Sequence, residues 1–151
     1  MLDAYLIQAV VIQMLFAVDR LQWGELRAHF ADEVHIDYTS LFGGDAQTMS
    51  ADALLGQWRG LLPGFDATQH MTGPVVITSS DANTAVAETH VRAYHHIGTD
   101  TWMIAGHYTM RIVRNGGVWK IASIRLDVYR QEGNTKLPAL AMERAKTHPR
   151  P

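Results

Sequence analysis

Three long stretches in the second half of the chain alternate their side chains with a period of two, and short turns join them. Residues 85–96 put Ala85, Ala87, Thr89, Val91, Ala93 and His95 on one face, and Val86, Glu88, His90, Arg92, Tyr94 and His96 on the other. Gly98-Thr99-Asp100 turns the chain into a second alternating stretch, 102–114, and Asn115-Gly116-Gly117 turns it into a third, 118–129. Asn-Gly takes the positive φ angles that a tight hairpin requires. A period of two marks strands with one buried face. The first face of residues 85–96 is small and apolar, so it faces inward and leaves room beside it, with His95 as its exception.

The first half reads differently. Residues 3–21 predict a helix with Val11, Ile12, Leu15 and Asp19 on one face at helical spacing. Residues 23–30 predict a second, short helix with Trp23, Leu26 and Phe30 on one side, weakened by Gly24. Val34 to Thr39 alternates as a half-buried strand with Val34, Ile36 and Tyr38 pointing inward. Residues 40–49 read as a loop around Gly43-Gly44. Ser50 is an N-cap for a helix to Leu62, whose buried face is Leu54, Trp58 and Leu61 or Leu62, and Pro63-Gly64 stops it. Val75 to Thr78 is a further strand. Helices followed by four or five strands in hairpin succession give an α+β fold, with helices on one face of a curved antiparallel sheet. Residues 1–130 make one domain. Residues 131–151 form a tail whose Pro138–Lys146 segment has the makings of a short helix, with three roles open to it: covering a pocket mouth, packing on a partner, or fraying.

Composition narrows the function. A formal charge of −2 without a basic block offers no footprint for nucleic acid. The absence of cysteine excludes disulfides, thiol catalysis and thiolate metal sites. Eight histidines suit proton chemistry near neutral pH. The most apolar stretch, Leu6–Val18, is 13 residues long, carries Gln8 and Gln13 and follows Asp3 rather than a basic segment. Such a stretch is unlike a secretory signal and short for a membrane span. The expectation is a cytoplasmic protein without membrane partners. His95 and His96 point to opposite strand faces and so share no metal ion; no metal and no cofactor are expected.

Four polar residues interrupt apolar faces: Asp19, Tyr38, His70 and His95. His70 closes the stretch Asp66-Ala67-Thr68-Gln69-His70, where the chain enters its β-rich half. Asp19 lies near a helix C-terminus, where the macrodipole and burial both disfavour a carboxylate. It either caps the following turn or is a buried carboxylate holding a histidine. Leu54, Trp58, Phe65, Trp102, Tyr108 and Met110 are candidate pocket walls, with plain core packing as the alternative for each. An outer sheet face carrying Tyr94, Trp119, Ile121 and Tyr129 is unusually apolar and predicts a homodimer or small homo-oligomer through the sheet.

Several motifs occur in one order: Val18-Asp19 followed by Trp23-Gly24-Glu25-Leu26, Ile36-Asp37-Tyr38-Thr39-Ser40, Thr68-Gln69-His70, Arg92-Ala93-Tyr94-His95, and Gly117-Val118-Trp119-Lys120. In this order and spacing the chain resembles the nuclear-transport-factor-2-like superfamily, in its SnoaL-like branch, and within it scytalone dehydratase and its bacterial relatives. The resemblance implies a cone-shaped curved sheet wrapped by N-terminal helices around a pocket. It maps the dehydratase's catalytic aspartate, tyrosine and two histidines onto Asp19, Tyr38, His70 and His95. Two positions depart from the pattern: Val18 stands where the dehydratase has a second tyrosine, and Tyr108 aligns with an asparagine. The chemistry this implies is proton abstraction α to a carbonyl of a small cyclic or polyketide-like molecule bearing a carbonyl or hydroxyl. His70 would be the base, Asp19 its orienting partner, Tyr38 a donor to the developing oxyanion, and His95 a second acid helping a hydroxyl leave. An isomerase or cyclase on the same site, and a non-catalytic binding or dimerisation module, stand as alternatives.

Overall fold

The three alternating segments meet their hydrogen-bonding demands in one sheet, and the helices close over its inner face. The computed structural model describes all 151 residues. In chain order the elements are α1 (Leu2–Asp19), α2 (Trp23–Ala28), β1 (Phe30–Asp37), α3 (Thr39–Phe42), β2 (Gln47–Ser50), α4 (Ala51–Arg59), a 3₁₀ turn (Leu62–Gly64), β3 (Ala67–Thr72), β4 (Val76–Ser80), β5 (Thr84–Ile97), β6 (Asp100–Asn115), β7 (Val118–Gly133) and α5 (Leu137–Thr147). The seven strands run β2-β1-β7-β6-β5-β3, with β4 pairing a second stretch of β5. Only β1 and β7 are parallel; every other pair is antiparallel. The sheet curves without closing. Ile7, Val10, Val11, Met14, Leu15 and Val18 of α1 are buried against its inner face.

The fold is the expected α+β cone, with more strands than the four or five expected. Two of the additions are short strands whose partners are remote in sequence. β2 forms inside the expected loop because Thr48 and Met49 pair with His35 and Val34. β3 forms because Thr68 and His70 pair with His95 and Ala93. Phe30 opens β1 instead of closing α2, since it pairs with Ile121 across the parallel ladder. Tyr38 lies one residue beyond β1, as the N-cap of α3.

The expected apolar outer face requires correction. Trp119 and Ile121 are buried in the core, not on the outer surface. A bulge between Arg111 and Ile112 of β6 leaves Ala122 of β7 without an opposite residue. One extra residue reverses the alternation, so Trp119 and Ile121 share the inner face with Ile124 and Leu126. The outer face keeps Tyr94 and Tyr129 among Arg92, His90, His107 and Asp127. α1 is also longer than its apolar stretch. By length and composition alone it could cross a membrane; here one side is packed in the core, while Leu2, Tyr5 and Phe16 are exposed.

Candidate active site

Asp19 occupies the last turn of α1, and the way that helix ends fixes where the carboxylate points. The N–H of Gln22 bonds the carbonyl of Ala17, and the N–H of Leu21 bonds that of Val18. This is a Schellman ending, in which the residue after the cap is left-handed. Here that residue is Leu21, with φ 52°. A leucine in that conformation costs about 1 kcal/mol, and burial of its side chain in the core holds it there. The chain therefore leaves the helix with Asp19 aimed at β3.

Three donors from β3 converge on Asp19. The Thr68 hydroxyl donates to Oδ1 at 2.9 Å, the His70 backbone N–H to Oδ2 at 2.8 Å, and the His70 ring meets Oδ1 through Nδ1 at 2.6 Å. Thr68 and His70 share a face because they are two residues apart on a strand. Burial pushes the Asp19 carboxyl up, but the bonds from His70 and Thr68 outweigh it and hold the group below the ordinary carboxylate value. An ionised Asp19 accepts from Nδ1–H, so the tautomer of a neutral His70 is set and Nε2 is the free lone pair. Of the two open readings of Asp19, the structure has the carboxylate on a histidine.

His70 reaches a cavity lined by 17 residues, and the two that are not hydrophobic are His70 and His95. Tyr38 and Tyr108 bring two phenols to the same wall. Burial is the dominant cause that raises both pKa values. Both therefore stay protonated and remain donors at neutral pH. The cavity thus presents two imidazoles and two phenols on an apolar surface. No cluster of three or more His, Asp and Glu side chains with metal-binding geometry occurs.

His95 enters from β5, with its ring 5.9 Å from that of His70. Phe65 and Trp102 flank it at ring distances of 4.9 and 4.5 Å. Burial among these rings, reinforced by the nearby His70, lowers its pKa to about 4. Nδ1 lies 3.1 Å from the Trp102 carbonyl, which only accepts. His95 is therefore neutral, with Nδ1–H donating to that carbonyl and Nε2 bare. This corrects the expected acid role: near neutral pH, Nε2 of His95 accepts a hydrogen bond and has no proton to give.

Of the expected wall residues, Trp58, Trp102 and Tyr108 line the cavity. Leu54, Phe65 and Met110 do not; each is fully buried in the packing. Leu54, on the buried side of α4, and Met110 belong to the main core, and Phe65 packs against the ring of His95. Periodicity identifies an inward face but not which part of it a helix covers. Leu41 and Phe42 line the cavity from α3, within a segment read as loop. Phe42, Trp58 and Leu61 also border a groove on the outer surface, which makes them the rim.

A sequence model for the SnoaL-like domain matches residues 1–125. The chain is a member of the SnoaL-like domain family. Among curated relatives of this SnoaL-like protein is the scytalone dehydratase-like protein Arp1 of Metarhizium majus, 27% identical over 132 residues and covering 80% of this chain and 76% of that one. Among solved structures, the Kfla4162 protein of Kribbella flavida is 26% identical, with a TM-score of 0.81 over 92% of this chain and 96% of that one. The hexachlorocyclohexane dehydrochlorinase LinA-type3 of Novosphingobium barchaimii shares the fold at 18% identity, with a TM-score of 0.73 over 88% and 90% of the two chains. Small-molecule lyases thus occur on this fold, whose members here include a dehydrochlorinase.

Proposed function

We propose that this SnoaL-like protein is a cofactor-independent lyase that dehydrates a small cyclic β-hydroxy ketone through abstraction of the proton α to the carbonyl. The observation that carries this reading is the Asp19–His70 pair, at 2.6 Å, opening onto a wall of apolar side chains and two protonated phenols. Nε2 of His70 takes the α-proton as general base. Asp19 holds the tautomer and stabilises the imidazolium that forms. Tyr38, backed by Tyr108, donates to the carbonyl oxygen as enolate charge develops. The C–O bond at the β-carbon then breaks, and the proton taken by His70 goes to the departing hydroxyl, giving water and the enone. Nε2 of His95 accepts from the substrate hydroxyl and orients it. The apolar wall suits a planar, ring-shaped substrate with two oxygen functions and no charge.

The test is proton NMR in D₂O over a panel of cyclic ketones and β-hydroxy ketones, with wild type beside His70→Ala and Asp19→Asn. Loss of water with growth of the vinylic enone signal, absent in His70→Ala and strongly reduced in Asp19→Asn, is the expected result. Exchange without water loss assigns the site to an isomerase or cyclase. Neither water loss nor exchange by any of the three proteins makes a binding module the better account.

A further inference from the structure

The residues after α5 fold back onto the end of α1. α5 packs its buried Leu137 and Ala141 with Phe65, Trp102 and Ile104, the group behind His95. Arg144 of α5 pairs with Asp66 at 2.6 Å. The Arg150 backbone N–H then bonds the Pro63 carbonyl at 2.7 Å, and its Nη1 donates to the backbone carbonyl of Asp19 at 3.3 Å. In the Schellman ending the carbonyls of Ala17 and Val18 are taken by backbone, so Arg150 serves a carbonyl the helix leaves open. Nε and Nη2 of Arg150 are buried with no partner. Hydrogen bonding alone does not account for a guanidinium with two of its three nitrogens unpaired. Its charge does: α1 ends in a negative dipole and a half-buried carboxylate, has no basic residue in its last turn, and carries at its C-cap only the exposed Arg20.

We propose that Arg150 is a positioning residue for the Asp19–His70 pair, supplying from the far end of the chain the positive charge that keeps the Asp19 carboxylate in place at the C-terminus of α1. The charged and titratable groups facing this pair are few. Asp19 itself comes from α1, His95 from β5, Tyr108 from β6, Tyr38 from the end of β1 and Arg150 from the segment after α5. Asp66, just before β3, is committed to Arg144 and to the N–H of Gly98. Arg20, the C-cap of α1, is exposed and borders a surface groove with Gln13, Phe16 and Glu25, so Arg150 is the part-buried cation that bonds Asp19 itself. Burial lowers its own proton affinity, while Asp19 and Asp66 act in the opposite direction.

Only the kinetic arm of this inference rests on the proposed lyase reading. Removing a nearby cation favours the protonated forms of both partners, so the pair takes up its protons at higher pH. The experiment compares Arg150→Gln and Arg150→Lys with wild type in the full chain. The first readout needs no substrate: carboxyl ¹³C and imidazole ¹⁵N shifts of the pair, followed through a pH titration. Arg150→Gln is expected to titrate about one pH unit higher, with Arg150→Lys close to wild type. Once a substrate is in hand, the acid limb of kcat/KM moves by the same amount in Arg150→Gln only. A folded Arg150→Gln protein titrating like wild type overturns the proposal. If the Gln variant does not fold, a folded Lys variant decides: a wild-type titration supports the charge role, and a displaced one overturns it. Should no substrate be found, the lyase reading fails while the spectroscopic arm still judges Arg150.

Discussion

At the scale of single residues, the site is a hydrogen-bonded acid–imidazole pair facing two buried phenols. On the proposed lyase reading, Asp19 and His70 hold a base ready, and Tyr38 and Tyr108 hold a donor ready. If the proposed lyase reading holds, Tyr38→Phe removes a donor aimed at charge that develops only in the transition state. It is expected to lower kcat by about 10²–10³-fold with KM little changed. Tyr108→Phe leaves the Tyr38 hydroxyl in place and removes only the second phenol of the cavity wall, and should be the milder change. Steady-state kinetics of both variants check this order, and a Tyr38→Phe effect confined to KM would assign the phenol to ground-state binding. Both histidine rings bond through Nδ1, yet they differ in role. His70 meets a carboxylate that can stabilise its cation, and His95 meets a carbonyl between two aromatic rings.

At the scale of elements, the site depends on how α1 ends and on what α5 holds behind it. Gly64, in the 3₁₀ turn after α4, has no room for a side chain: a Cβ there would overlap the backbone carbonyl of Ala141 in α5. The turn and the helix approach backbone to backbone, and Phe65 next in sequence presses on His95. Gly64→Ala must push α5 outward. The expected loss is about 1–3 kcal/mol of stability, read as a fall of several degrees in Tm by calorimetry. Because Arg150 follows α5, the same variant should also weaken the Asp19–His70 pair, even though Gly64 lies outside the cavity lining. An unchanged Tm would mean that α5 is not firmly seated on the turn.

At the scale of the whole molecule, the buried histidine makes stability depend on pH. His95 has a pKa of about 4 in the folded protein, against an ordinary value of about 6.5 in the unfolded chain. Between those values the unfolded state binds a proton that the folded state lacks. Stability is therefore full above about pH 6.5 and declines as pH falls toward 4, with about 2 kcal/mol lost by pH 5. Burial lowers His29 as well, and its contribution has the same sign. Below about pH 4, protonation of Asp19 extends the loss, since its folded value is lowered too. Urea unfolding of wild type and His95→Gln at pH 7.5 and 5 tests this: the variant should show the shallower decline. Equal slopes would assign the acid sensitivity elsewhere.

Much of this protein is written locally. The period-two runs of β5, β6 and β7 and the Asn115-Gly116 turn specify the hairpins, because alternation and turn chemistry act between near neighbours. Asp19, Tyr38, His70 and His95 stand out in the sequence because each interrupts an apolar face. Their convergence, and everything that distinguishes their roles, required tertiary structure. β2 and β3 exist only through partners far along the chain. The bulge that turns Trp119 and Ile121 inward is a property of the β6–β7 register, not of β7. Leu54, Phe65 and Met110 were legible as buried but not as lying behind the cavity rather than on its wall. The neutrality of His95 comes from burial against Phe65 and Trp102 and from the nearby His70, with the Trp102 carbonyl acting the other way, and the guanidinium at the end of α1 comes from a residue 131 positions away. Burial and electrostatics depend on distance in space, and sequence spacing reports that distance only within a single element.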